Sequence, residues 1–211
     1  MSILFISDLH LGISERNLER MRRPFSNPDQ HDEAIIGNLN DALEDPKTHV
    51  YVAGDFADAA CSFEHFLECV HKLGNRDRLH IVYGNHDWFW TEKCKAKNLP
   101  LHGEGSLFRS TYLSADLYDV DGRRVQVTHI PYAMPFDGYN VHGHVHPNYF
   151  DPYNDYAYCE DFVKTLPRTL NANCELTGYR PASLDDLIEI NGRSRKPCRA
   201  EWGLGSPGPA R

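Results

Sequence analysis

LHIVYGNHD, residues 79–87, is the stretch of sequence from which the fold is best predicted. Its first half is largely apolar and predicts a short buried strand, and Gly84 lets the backbone turn directly after it. Asn85, His86 and Asp87 then bring an amide, an imidazole and a carboxylate together in that turn. Because Asn and His are uncommon in cores, the turn is either an ordinary capped β-turn or part of a polar site. The second interpretation is favoured because the same pattern recurs along the chain.

Polar side chains follow the other predicted strands in the same way. The strands and the residues after them are 3–6 with Asp8 and His10, 50–53 with Asp55, 124–128 with His129, and 139–141 with His142, His144 and His146. In an extended strand end, residues two apart point the same way, so we expect Asp8 and His10 to face one space. By the same rule, His142, His144 and His146 all point the same way, so spacing leaves open which of them belong to a site.

Helices are predicted between the first strands, from apolar residues at helical spacing within 27–43 and 63–70. The order strand, helix, strand, helix, strand predicts right-handed crossovers and a largely parallel sheet. Ligands of such a sheet collect at the carboxyl ends of its strands. The second half is predicted to contain short strands, a hairpin turn and a final helix, at 117–128, Asp121-Gly122, 170–175 and from Ser183. An α/β fold is therefore expected.

The remaining segments have weaker patterns. Residues 13–23 are predicted as a polar loop, and residues 88–116 predict no regular element. Residues 147–161 are predicted to be either an ordered loop over the mouth of the site or a surface excursion. We expect one domain over residues 1–191 and a flexible tail over 192–211, where Arg, Lys, Gly and Pro dominate.

The composition excludes several classes of protein. The chain has 211 residues and a formal net charge of -8, which argues against a general affinity for nucleic-acid backbones. Its apolar runs are too short to span a membrane, and its N-terminus has no basic region before the apolar residues, unlike a signal peptide. The 6 cysteines have no C-x-x-C spacing. They predict reduced thiols in a cytoplasmic protein rather than a zinc finger or disulfides.

The predicted site has the donor types of a divalent-metal centre. Carboxylate and amide oxygens together with imidazole nitrogens suit borderline ions such as Mn, Fe or Zn, and the absence of cysteine argues against a soft thiolate site. The donors are too many for one tetrahedral ion. They suit two ions that share a bridging carboxylate, an arrangement that activates a water and clamps both oxygens of a displacement at phosphorus.

The order of the motifs resembles that of the calcineurin-like metallophosphoesterases. The motifs are Asp8-x-His10, Gly54-Asp55-x-x-Asp58, Gly84-Asn85-His86-Asp87, His129 and Gly143-His144-x-His146. Residues 23–25, the helix with Asp32 and Asn40, and residues 179–185 are similar to a small-phosphoesterase branch that is common in bacteria and phages. The resemblance extends over residues 1 to about 190. It implies a four-layer α/β/β/α sandwich.

The resemblance also implies roles for the site residues. The two divalent ions would be held by Asp8, His10, Asp55 and His146 and by Asp55, Asn85, His129 and His144, with Asp55 as the bridge. Mn is the expected metal, with Zn, Fe and Ni as alternatives. His86 would bind a phosphoryl oxygen or protonate the leaving group, and Asp87 would orient its ring. His142 would be a structural residue or support a ligand.

The activity implied by the resemblance is hydrolysis of a small phosphomonoester or phosphodiester, nucleotides included, by a metal-bridging water or hydroxide. The arginine-rich segment 16–23 is either a solvated face or a phosphate-recognition element, in which Asn17 and Arg23 are the candidate substrate-binding residues. Ile13 departs from the branch, whose members often have a second histidine there. A nuclease or nucleic-acid end-processing enzyme is the alternative, which the acidic charge disfavours. A non-catalytic scaffold is disfavoured by the intact ligand set.

Overall fold

The protein is an α/β structure built on two four-stranded sheets with helices around them. The computed structural model describes residues 1–103, 105–133, 137–147 and 166–194. The strands are β1 (Ser2–Ile6), β2 (Thr48–Ala53), β3 (Leu79–Val82), β4 (Ser110–Tyr112), β5 (Ala115–Val120), β6 (Arg123–Val127), β7 (Tyr139–His142) and β8 (Thr169–Asn171). The helices are α1 (Glu15–Arg20), α2 (Pro28–Ala42), α3 (Phe63–Lys72), α4 (Trp88–Ala96), α5 (Cys174–Thr177) and α6 (Leu184–Ser194), with a 3₁₀ turn at Arg76–Arg78.

The first sheet is parallel throughout, in the order β1-β2-β3-β4. Its side chains alternate between two cores, as the period of a strand requires. Ile6, Val52 and Ile81 belong to the core that includes α2, α3 and α4. Phe5 and Tyr51 belong to the core shared with the second sheet. The parallel order brings the carboxyl ends of β1, β2 and β3 to one edge, where the predicted polar residues follow.

Local sequence explains where the helices on this sheet begin. Asn27 caps α2 by accepting the Gln30 N–H, and Pro28 occupies the first turn, where its missing N–H costs nothing. Ser62 caps α3 through its side chain. The apolar residues of both helices pack with Trp90 of α4 to form the outer core.

The second sheet has the order β5-β6-β7-β8. Strands β5 and β6 form an antiparallel hairpin through Asp121-Gly122, whereas β6, β7 and β8 are parallel. Val125, Val141 and Leu170 lie in the core between the sheets, and Leu184 of α6 joins them. Two packed sheets with flanking helices confirm the predicted α/β/β/α sandwich.

Residues 13–23 contain a short helix and are not the predicted polar loop. Ser14 caps α1 with its side chain, and Leu18 packs with Ile13 and Met21 in a small separate core. These apolar residues are scattered among charged ones and give no helical stripe in the sequence. Contacts within the folded chain therefore decide this element.

The segment 88–116 contains α4 and β4, for which the sequence predicts no element. The predicted strand at 170–175 is shorter than expected, because Asn173 accepts the Glu175 N–H and begins α5. An Asx cap of this kind competes with strand pairing.

The last helix, α6, continues to Ser194, past the predicted domain boundary at 191. The predicted tail beyond it, and most of the loop predicted at 147–161, lie outside the described residues. Among the residues that the structure describes, no helix is both long and apolar enough to cross a membrane.

Candidate metal centre

The predicted polar residues lie together at the carboxyl ends of the strands. Asp8, His10, Asp55 and His144 all have positive φ, at 56°, 50°, 53° and 70°. Left-handed backbone is uncommon outside glycine and persists only where the surroundings hold it, often at functional sites. Asp8 and His10 therefore reach one space through left-handed turns, and not through the alternation of an extended strand that the sequence suggested.

One group of donors contains Asp8, His10, Asp55 and His146, all of them buried. His146 Nε2 lies 3.4 Å from Asp8 Oδ1 and 3.3 Å from His10 Nε2. His10 Nε2 lies 3.7 Å from Asp55 Oδ2. Zinc-to-ligand distances of ~2.0–2.2 Å put the ligands of a tetrahedral ion roughly 3–3.6 Å apart, so this spacing suits a single ion.

A second group contains Asp55, Asn85, His129 and His144. His129 Nε2 lies 3.3 Å from Asp55 Oδ2 and 2.9 Å from Asn85 Oδ1. His144 Nδ1 lies 3.0 Å from the same Asn85 oxygen. Asp55 Oδ2 thus contacts a histidine of each group, as a bridging carboxylate would. The structure brings all the predicted metal ligands into these two adjoining groups.

Burial and charge make the groups suited to a cation. Burial lowers the pKa of His10 well below its usual value, which leaves the ring neutral and able to bind an ion. Burial alone would also lower the pKa of His129, but the hydrogen bond to Asp55 outweighs this effect, and the pKa is raised to about 9. Burial would raise the pKa of Asp55, yet the bond to His129 keeps it below its ordinary value. A bound cation would replace the His129 proton opposite this carboxylate.

Gly84 allows the turn after β3 to approach the bridging carboxylate. A Cβ at this position would lie 2.1 Å from Asp55 Oδ1 and 2.4 Å from the Asp55 nitrogen, so no side chain fits. The His86 N–H donates to Asp55 Oδ1 at 2.9 Å. The turn therefore fixes one carboxylate oxygen of Asp55 and leaves Oδ2 facing the histidines.

Asp87 holds the same turn in place. Its buried carboxylate accepts N–H groups at 2.8–2.9 Å from the backbone of Asp55, Phe56 and Gly84 and from the Trp90 indole. Burial and the nearby Asp55 charge raise the pKa of Asp87 to about 7, while the N–H donors favour its ionised form. These contacts give Asp87 the role of a backbone clamp, rather than the predicted role of orienting the His86 ring.

The backbone of Ala59 orients His86. The Nδ1 atom of His86 accepts the Ala59 N–H at 3.2 Å, and its ring stands edge-on to His10 with centroids 4.9 Å apart. A neutral imidazole whose Nδ1 accepts a hydrogen bond carries its proton on Nε2. His86 Nε2 is therefore a hydrogen-bond donor beside the metal ligands.

Two carboxylates to which the sequence analysis assigned no role support the histidine ligands. Glu175 Oε1 lies 3.0 Å from His146 Nδ1, and Asp58 Oδ2 lies 3.3 Å from His10 Nδ1. Carboxylates in this position usually fix the ring and tautomer of a metal-binding histidine. Asp58 belongs to a motif of the resemblance, but nothing local to Glu175 signals its role.

Arg23 does not face the open site, so its predicted role as a substrate-binding residue is wrong. It is 5% exposed, and its guanidinium donates to the carbonyls of Leu9 at 2.8 Å and Asp8 at 2.7 Å. It also donates to Glu175 Oε1 at 3.1 Å. Arg23 therefore ties the loop that carries Asp8 to the carboxylate behind His146.

The open side of the centre is a cavity of about 250 Å³, lined by ligands, His86 and three residues of the α1 segment, Asn17, Arg20 and Met21. Asn17, which was predicted to bind substrate, lines this cavity. Arg20, and not Arg23, is the arginine that lines the cavity. Asn17 and Arg20 share a face because they are three apart on α1, the helix that the sequence did not predict.

His142 is fully buried at the end of β7, and its Nδ1 donates to the Gly143 carbonyl at 2.8 Å. The two donor groups include His144 and His146 instead. This placement agrees with the structural role that the resemblance implied for His142.

We expect Glu175→Gln to weaken metal binding about 10–100-fold without unfolding the protein. The amide has nearly the same size, but it lacks the charge that stabilises the His146 Nδ1–H and pairs with Arg23. Calorimetric titration of metal-stripped protein with Mn²⁺ measures the change. Glu92→Gln, at an exposed position on α4, is the control. Equal affinity in both variants would contradict the supporting role of Glu175.

Comparisons with known proteins agree with this architecture. The family model described as calcineurin-like phosphoesterase matches residues 1–188. The chain is 27% identical over 191 residues to the uncharacterized protein MJ1445 of Methanocaldococcus jannaschii, covering 89% of this chain and 90% of that protein. It also resembles the crystal structure of AQ665, a protein of unknown function from Aquifex aeolicus, with a TM-score of 0.58 and 22% identity over 89% of this chain and 98% of that one. That likeness concerns the fold alone. With its family match over nearly all the described residues, the chain belongs to the calcineurin-like phosphoesterases.

Proposed function

We propose that the protein is a metal-dependent phosphoesterase that hydrolyses a small phosphomonoester or phosphodiester, nucleotides among them. The observation that carries the proposal is the position of Asp55 Oδ2, 3.7 Å from His10 Nε2 and 3.3 Å from His129 Nε2. Two ions that share a carboxylate are typical of enzymes that catalyse displacement at phosphorus. Membership of the family supports the same reaction class.

The donors suit two divalent ions, one in each group. Oxygen and imidazole donors without thiolate favour Mn²⁺, and Zn²⁺, Fe²⁺ and Ni²⁺ are alternatives. When bound, such ions supply Lewis-acid activation of water and neutralise the charge that develops on the phosphate. The chain itself holds the ligands in position through the Gly84 turn, the backbone contacts of Asp87, and the carboxylates beside His10 and His146.

Side chains around the cavity position the substrate and handle a proton. The His86 Nε2–H is available to donate to a phosphoryl oxygen or to the leaving group. The Arg20 guanidinium matches the geometry of non-reacting phosphate oxygens, and the Asn17 amide adds a neutral donor. The buried surroundings lower the local dielectric constant, which strengthens these electrostatic contacts.

Cavity size and net charge support a small substrate. The cavity formed by the described residues has a volume of about 250 Å³, which is smaller than the roughly 300–1,000 Å³ of pockets that bind drug-sized ligands. A net charge of -8 weakens long-range attraction to a nucleic acid. Both observations favour a small phosphorylated molecule over the nuclease alternative.

The test is turnover of a chromogenic phosphomonoester and its bis-ester by metal-stripped protein, reconstituted separately with Mn²⁺, Zn²⁺, Fe²⁺, Ni²⁺ and Mg²⁺. We expect a transition metal to restore hydrolysis, and the ratio of the two rates separates phosphatase from phosphodiesterase. Protein that binds two ions yet hydrolyses neither ester nor a panel of nucleotides would contradict the proposal.

A further inference from the structure

A second set of metal-binding side chains lies outside the centre described above. We call it the thiol cluster, and its members are Asp32 of α2, Cys61 before α3, and His65 and Cys69 on α3. His65 and Cys69 are four residues apart, so they lie on one face of the helix. No sequence pattern indicates the cluster, because its cysteines lack C-x-x-C spacing.

Three donors of the thiol cluster are close together. Asp32 Oδ2 lies 2.7 Å from His65 Nε2 and 3.7 Å from Cys69 Sγ. One ligand atom from each of these residues lies within 4.8 Å of the others. The 3.7 Å separation already suits oxygen and sulfur on one zinc ion, given Zn–O near ~2.1 Å and Zn–S near ~2.3 Å. The 2.7 Å separation between Asp32 Oδ2 and His65 Nε2 is a hydrogen bond, and a bound ion would replace its proton.

Cys61 lies beside the same histidine. A Cβ added to Gly12, whose φ is +74°, would be 2.4 Å from Cys61 Sγ and 3.1 Å from His65 Cδ2. The Cys61 sulfur thus packs against the same glycine as the His65 ring, and it donates to the Ser62 carbonyl at 3.3 Å. Both side chains need a glycine at position 12 for space. Asp32, His65 and Cys69 therefore form a group of three donors, and Cys61 is the neighbouring thiol that would complete it by a change of rotamer.

The surroundings complete the requirements of a metal site. Asp32 Oδ1 accepts from His31 Nδ1 at 2.8 Å, and the Gly12 N–H donates to Oδ2 at 2.9 Å, so the carboxylate is held in place. Cys61 and Cys69 are buried, whereas the His65 side chain is 33% exposed and gives an ion a path from solvent. Burial and the charge of Asp32 raise the pKa of both thiols to about 12, so an ion must displace their protons.

We propose that the thiol cluster binds one Zn²⁺ ion in tetrahedral geometry. Two thiolates, an imidazole and a carboxylate are a donor set that zinc accepts and that Mn²⁺ or Mg²⁺ disfavours. The ion would link α2 to α3, and its ligand Asp32 accepts the N–H of Gly12, two residues after the metal ligand His10. Its role is therefore to brace the loop that carries the first ligands.

Co²⁺ is the probe for this proposal, because thiolate-bound Co²⁺ has a sulfur-to-metal charge-transfer band that oxygen and nitrogen ligands do not give. The full chain, with Cys159→Ala and Cys198→Ala to remove thiols outside the described residues, is reduced, stripped of metal and titrated. We expect the band to appear, and Zn²⁺ to abolish it. Further replacement of Cys61 and Cys69 by Ala should abolish the band and remove one bound Zn²⁺ per chain.

Cys94→Ala is the matched control, because Cys94 is a buried thiol on α4 outside the cluster. It should retain the band, and circular dichroism reports whether each variant is folded. The proposal would be overturned if the folded chain with Cys159→Ala and Cys198→Ala showed no band. It would also be overturned if the band persisted after Cys61 and Cys69 were replaced. The band does not depend on turnover, so this test and that of the phosphoesterase activity are separate.

Discussion

Asp55→Asn is expected to abolish phosphoesterase turnover and to weaken metal binding by more than about 100-fold, beyond the range typical for residues that only support a ligand. Asp55 Oδ2 is the atom that both donor groups share, 3.7 Å from His10 Nε2 and 3.3 Å from His129 Nε2. Asn keeps the shape and the bond from the His86 N–H, but it removes the negative charge. Metal content after dialysis and turnover of the chromogenic ester measure the two effects.

The control for this variant is Asp116→Asn, which makes the same chemical change at an exposed position of β5. It should retain both ions and wild-type turnover. If Asp55→Asn also kept both ions and hydrolysed the ester at a similar rate, Asp55 would not be a bridge and the two donor groups would have to be independent sites.

The sequence predicted which residues gather at the site because most of them closely follow a strand. Asp8, Asp55 and Asn85 follow buried parallel strands, and the geometry of such a sheet brings their carboxyl ends together. The nearly continuous apolar runs of those strands likewise indicate burial on both faces. Local patterns of this kind predict the parallel sheet and the polar residues at its edge, whereas the sandwich and the choice of His144 and His146 over His142 were implied by the family resemblance.

The supports of the site could not be predicted, since they depend on contacts between distant segments. Glu175 meets His146 only after α5 has been placed against the first sheet. Arg20 and Arg23 are equally basic in the sequence. In the fold, Arg23 is buried and donates to the carbonyls of Asp8 and Leu9, whereas Arg20 lines the cavity. No local signal separates the two arginines, so the choice of substrate-binding residue required the fold.

His86→Ala is expected to lower turnover between about 100-fold and 10,000-fold while both ions stay bound, the range that general acid catalysis contributes. Its Nδ1 accepts the Ala59 N–H, which leaves the proton on Nε2. The ring also lies close to His10 and Asp55, but each donor group keeps four other ligands when it is removed. His71→Ala, at an exposed position on α3, removes a histidine without touching the centre and should leave turnover unchanged.

The dependence on leaving group shows what His86 does. A nitrophenolate leaves readily without a proton, whereas a phenolate or alkoxide needs one, so proton donation predicts a much larger loss for phenyl and alkyl phosphates than for nitrophenyl phosphate. A hydrogen bond to a non-reacting phosphoryl oxygen instead predicts an equal loss for all of them. Unchanged turnover in metal-loaded His86→Ala would contradict both roles and would leave Arg20 as the residue to be tested for charge stabilisation at the cavity.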